Sequence, residues 1–170
     1  MKKIKLIAIV CILLLLIVIH TKNEQLGKEY LRTINILTHI VKSMIENLES
    51  DNPDPEYHQK LLEQIQIINY FLTAHEDLAF LDESIYYIFD DRQFNQIKTK
   101  EKILLLKRFY NSLDWLSKEI DYYSKYFISL DFHFHGEGFI KNKPVATYYY
   151  LNIRKSAIEA KFREIYKDKE

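Results

Sequence analysis

The chain has 170 residues, balanced at 24 basic and 24 acidic side chains, with one cysteine, three glycines and three prolines. So few glycines and prolines leave little scope for tight turns or for backbone that closes around a phosphate, which disfavours all-β and nucleotide-cradling architectures and points to long helices in a single domain. All the acids lie beyond residue 20 whereas three lysines precede it, so the remainder carries a net charge of −3 and has no electrostatic footprint for nucleic acid.

Residues 1–22 read as a signal-anchor. Lys2, Lys3 and Lys5 precede an apolar run over residues 6–19 that lacks any charge, glycine or proline. By the positive-inside rule the lysines stay cytoplasmic, and the domain over residues 23–170 faces the periplasm or the exterior of a bacterial inner or plasma membrane. Two signals oppose each other on cleavage. The run is only about 21 Å long as a helix, shorter than the roughly 30 Å hydrocarbon core, which suits a signal peptide. The sequence Ile19-His20-Thr21-Lys22-Asn23-Glu24, however, offers no pair of small residues for a peptidase. Retention as an uncleaved anchor is the expectation, with residues 4–19 in the membrane; a cleaved, secreted or periplasmic product is the alternative. Cys11 lies inside the run after Val10, unsuited to lipidation, and leaves the exported domain without an intramolecular disulfide.

Beyond the anchor, Leu26, Tyr30, Ile34, Leu37, Val41, Met44 and Leu48 recur in steps of three and four, a helix with one buried stripe over residues 24–49. Only Gly27 interrupts the path from the membrane run, so anchor and helix are expected to form one rod. Asp54-Pro55-Glu56 supplies an N-cap, a proline at the first helical position and an early acid. The helix that follows carries Tyr57, Leu61, Ile65, Ile68, Leu72, His75 and Leu78, with an extension through Ile85, Tyr86 and Phe89 and a break expected at residues 73–77. A third, over residues 98–127, has the cleanest stripe: Ile103, Leu106, Tyr110, Leu113, Leu116, Ile120, Tyr123 and Phe127. Residues 128–141 alternate and contain Gly136 and Gly138, which suggests a short extended segment. A last helix starts near Pro144 and runs to about Tyr166. The fold class is therefore all-α, an antiparallel bundle of about four helices.

Catalytic patterns are scarce. No Glu-x-x-His pair of a di-iron bundle and no Gly-x-Ser-x-Gly elbow occurs, and His75-Glu76 fails as a zinc-protease motif because Ala79 stands where the second histidine belongs. His75 lies on an apolar stripe and is expected within the bundle, whereas His39 and His58 are expected on the surface. Glu76, Asp77, Asp82, Glu83, Asp90 and Asp91 precede Lys98, Lys100, Lys102, Lys107 and Arg108, which predicts oppositely charged faces on neighbouring helices.

Two constellations stand out. Asp131, His133, His135 and Glu137 alternate, and alternate residues of an extended chain share a side, a donor set suited to zinc or copper. Tyr148, Tyr149 and Tyr150 place three rings around one helix, so one is left for the surface, where tyrosine is a favoured anchor for a protein partner. The functional expectation is a membrane-anchored helical protein of the bacterial envelope that acts by protein binding, as immunity, inhibitor or adaptor proteins do. Catalysis is not expected, and a metal-binding protein centred on residues 131–137 is the alternative.

Overall fold

A computed structural model describes residues 2–89, 94, 96–126 and 142–164, with side chains from residue 7 onward. Among these the fold is all-α, with six α-helices and one 3-10 turn: α1 (Lys2–Glu49), α2 (Pro55–Leu72), the turn (Glu76–Leu78), α3 (Ala79–Phe89), α4 (Thr99–Tyr126), α5 (Lys143–Ile153) and α6 (Lys155–Arg163). The extended segment expected at residues 128–141 lies outside the described residues.

α1 is a single helix of 48 residues, about 72 Å long at 1.5 Å per residue. It has two unlike parts. The large side chains from Ile7 to Ile19 are 37–63% exposed, an apolar sleeve outside the bundle. From Asn23 on, the helix enters the bundle, and Gly27, Tyr30, Ile34, Leu37, Val41 and Met44 are buried. Thr33, Ile40, Ser43 and Ile45 are buried as well, so the covered face is wider than the single stripe the spacing predicts. The reason is position: α2, α4 and α5 all pack on this one helix.

The connection to α2 is clamped by Asn47, whose Nδ2 donates to the Asp54 carbonyl at 2.9 Å while its Oδ1 accepts from the Asp54 N–H at 2.9 Å. Asp54 then caps α2, accepting from the Glu56 and Tyr57 N–H groups at 2.9 and 3.1 Å, with Pro55 in the first turn. α2 runs antiparallel to α1 and stops at Leu72. His75 adopts an extended conformation (φ −127°, ψ 94°), and the chain turns back there. α3 accordingly runs up beside α2, bringing Phe89 and Phe94 to within 5.3 Å and Phe94 against His58. The break expected at residues 73–77 is thus a reversal between two packed helices.

α4 runs antiparallel to α1, with Lys107 paired to Glu49 at 2.6 Å. Leu106, Leu113, Leu116 and Ile120 of its predicted stripe are buried; Phe109, off that stripe, is buried too because α6 covers it. The last predicted helix is in two pieces. Asn142 caps α5 by accepting from the Val145 N–H at 3.1 Å, and the helix bends at Arg154 (φ −102°, ψ 9°). The bend lays α6 across the bundle, with Phe162 meeting Phe80 at 4.9 Å and Phe109 at 6.2 Å between ring centroids. One continuous core of isoleucine, leucine and aromatic side chains results.

Candidate functional site

The end of the bundle nearest the apolar sleeve holds the close crossing of α1 and α5 and a set of tyrosine hydrogen bonds. α5 crosses α1 there so closely that Gly27 faces the Pro144 carbonyl: a Cβ on residue 27 would lie 2.5 Å from the carbonyl carbon and closer still to its oxygen. Gly27 is therefore a contact point between two helices and not a helix breaker, since only a residue without a side chain admits backbone at that distance.

The three tyrosines of α5 take three different environments. Tyr148 is half-buried and stacks on Tyr30 at 6.4 Å with planes 21° apart. Tyr150 is buried, packs on Tyr123 at 5.3 Å and donates its hydroxyl to Glu119 at 3.3 Å. Burial, and then the neighbouring Glu119 charge, pushes its phenol up to about 12. Tyr149 is the exposed one, at 37%, and its hydroxyl accepts from Asn23 Nδ2 at 3.3 Å. The helical spacing thus leaves one ring of the three for the surface, but that ring sits beside the root of the apolar sleeve.

Behind this layer, Tyr30 donates its hydroxyl to Asp77 at 2.8 Å, a long-range bond that ties α1 to the 3-10 turn. Burial raises the Tyr30 phenol well above the ordinary tyrosine value, and Asp77 adds to the effect by hydrogen bond and charge. His75 packs between Phe71, at 4.4 Å, and the edge of Tyr30, at 5.7 Å, but it does so from the extended turn after α2 and not from a helical stripe. Lys155 of α6 donates to the Glu76 carbonyl at 3.2 Å. Asp77 and Asn23 carry no pattern in the sequence that marks them, because their partners lie 47 and 126 residues away.

His58 departs from the surface assignment. It is half-buried and stacked on Phe94 at 6.3 Å with planes 3° apart, and burial, aided by Lys102, lowers its imidazole below the usual histidine range. His39 is exposed. Of the basic residues of α4, Lys107 pairs with Glu49, and Lys102 lies 5.0 Å above the Phe94 ring. A groove of about 350 Å³ opens between α1 and α4, lined by Lys42, Ile45, Glu46, Glu49, Lys107 and Tyr110.

The proposed metal donors Asp131, His133, His135 and Glu137 lie outside the described residues. Among the described residues, no group of three or more His, Cys, Asp or Glu side chains is placed to hold a metal. No protein-family model, curated protein or solved structure matches the chain.

Proposed function

We propose that this chain is a single-pass membrane protein, with its first residues cytoplasmic and its bundle periplasmic or extracellular, that acts by binding another protein of the bacterial envelope. Adaptor and immunity or inhibitor roles fit this description. The observation that carries the anchor is the continuity of α1: an apolar sleeve exposed on every side becomes, without a break, the central helix of a packed domain. A product beginning at residues 24–27 would lack Asn23, a buried part of the bundle, and would begin beside buried Gly27, which supports retention. Protein binding is supported by Ile67 and Tyr70, one turn apart on the outer side of α2 and 72% and 84% exposed. Large exposed apolar and aromatic side chains of this kind are favoured contact residues.

The test has two parts. A reporter fused after Glu170 is expected to be active only when exported, and the protein to remain in the membrane at full length; a soluble form beginning near residues 21–27 would remove the anchor. A photo-crosslinking residue in place of Tyr70 is expected to form a discrete protein adduct in cells that one in place of Lys60 does not. Equal labelling at the two positions would overturn the α2 surface.

A further inference from the structure

We infer that the base of the bundle is seated in the lipid headgroup layer, with Tyr149 as its interfacial anchor, an inference that rests on the membrane-spanning reading above. The height of the domain above the bilayer follows from α1 itself. The last apolar side chain of the sleeve is Ile19, and Asn23 lies four residues on, about 6 Å along the helix axis. Asn23 is only 7% exposed because α5 already covers it at this level, and its amide holds the Tyr149 hydroxyl at 3.3 Å. The headgroup region on each side of the hydrocarbon core is about 5 to 7 Å deep, so the phenol falls within it.

Three further features agree. The first turn of α5 meets α1 at Gly27, yet the Tyr149 hydroxyl reaches Asn23, four residues nearer the sleeve, so the ring leans toward the membrane. The apolar run spans only about 21 Å against about 30 Å of hydrocarbon, and either remedy for that mismatch, local thinning or drawing His20 to Lys22 inward, brings the domain closer to the lipid. Tyrosine is one of the two side chains enriched at this depth, with its ring among the upper acyl chains and its hydroxyl hydrogen-bonded. Among the described residues the charges around the base are mixed, Lys28 pairing with Glu24 and Lys143 with Asp121, so the proposed seat is aromatic. Its consequence is a set posture: because α1 is one continuous helix from membrane to bundle, the Ile67 and Tyr70 surface is held at a set height above the bilayer.

The experiment uses the full chain in phosphatidylcholine vesicles, in a Trp115→Phe background, with a single tryptophan introduced as Leu13→Trp, Tyr149→Trp or Tyr70→Trp. Lipids carrying a quencher near the headgroup or deep in the chains report depth. Loss of Leu13→Trp emission to the deep quencher and of Tyr149→Trp emission to the shallow one, with Tyr70→Trp unaffected, is expected. Quenching at residue 13 but not at 149 would overturn the seat and leave the anchor standing; no quenching at 13 would remove the anchor itself. A spin label at Lys143→Cys, in a Cys11→Ser background, repeats the reading without touching Tyr149, and access to water-soluble relaxants alone would likewise overturn it. A crosslinker at residue 149 that captures protein and no lipid would reassign the tyrosine to a protein partner and refute the seat.

Discussion

Gly27→Ala separates a glycine that a helix merely tolerates from one that two helices require. Within α1, alanine is better than glycine by about 1 kcal/mol on intrinsic helix propensity, so an uncrowded site would gain stability. At residue 27 the new methyl would stand 2.5 Å from the Pro144 carbonyl carbon and 3.1 Å from its Cα, against an ordinary carbon–carbon contact of about 3.5 to 4.0 Å. The obstacle is backbone in the first turn of α5, so relief requires that turn to retreat by more than about 1 Å, loosening the Tyr148–Tyr30 stack and the burial of Val145. Overpacking costs about 1 to 3 kcal/mol, and a clash with backbone belongs at about 2 to 3; set against the propensity gain of about 1 kcal/mol, a net loss of about 1 to 2 kcal/mol is expected. For a domain of this size that lowers Tm by roughly 2 to 8 °C. Thermal melting of the full chain in detergent, followed by circular dichroism and Trp115 fluorescence, reads it. Asn35→Ala, on the exposed side of the same helix, is the control and is expected to gain about 0.5 kcal/mol. A Gly27→Ala protein that melts above the parent, as the control does, would refute the close crossing of α1 and α5.

Leu113→Ala or Ile120→Ala, at fully buried positions of α4, is expected to cost about 2 to 5 kcal/mol in the same melt, and a loss under 1 kcal/mol would show that α4 does not pack as described. Tyr30→Phe removes the bond to Asp77 and leaves that carboxylate without its donor, so a loss of about 1.5 to 3 kcal/mol is expected, with Asp77→Asn recovering part of it in the double variant. On the alkaline side, Tyr150 ionises near 10 in the unfolded chain and is pushed up to about 12 in the fold; its contribution is therefore complete below pH 10 and is lost as pH rises toward 12, a slope that Tyr150→Phe should flatten. On the acid side, the lowered His58 value means that the unfolded chain takes up a proton first as pH falls below about 6.5, so stability declines with acidity until the folded imidazole also protonates. His58→Gln should remove that decline, and an unchanged acid limb would place its cause elsewhere.

Much of the fold was legible as pattern. The three-and-four spacing in α1 and α4 marked faces that are indeed buried, because helical periodicity states which side of a segment is apolar whatever covers it. The start of α2 was legible for a similar reason: Asp54 accepts from donors two and three residues away, and Pro55 fixes its own backbone angle. The union of sleeve and first bundle helix followed from the lack of any strong breaker between them.

What spacing could not contain is the identity of the opposing surface. Gly27 reads as a small interruption until Pro144, more than a hundred residues away, arrives against it. His58 reads as a surface residue until Phe94 covers it, and the three tyrosines are equivalent until α1 and α4 take Tyr148 and Tyr150 and leave Tyr149 beside Asn23. The bend at Arg154 belongs to the same class: no glycine or proline announces it, and it serves the docking of Phe162 between α3 and α4. The sequence by itself determined the helical class, the apolar N-terminal run and the buried faces, since each depends on neighbours within a few turns of chain. Only the tertiary structure decided which helix meets which and where the polar groups are paired, because those contacts join residues whose proximity is created by folding.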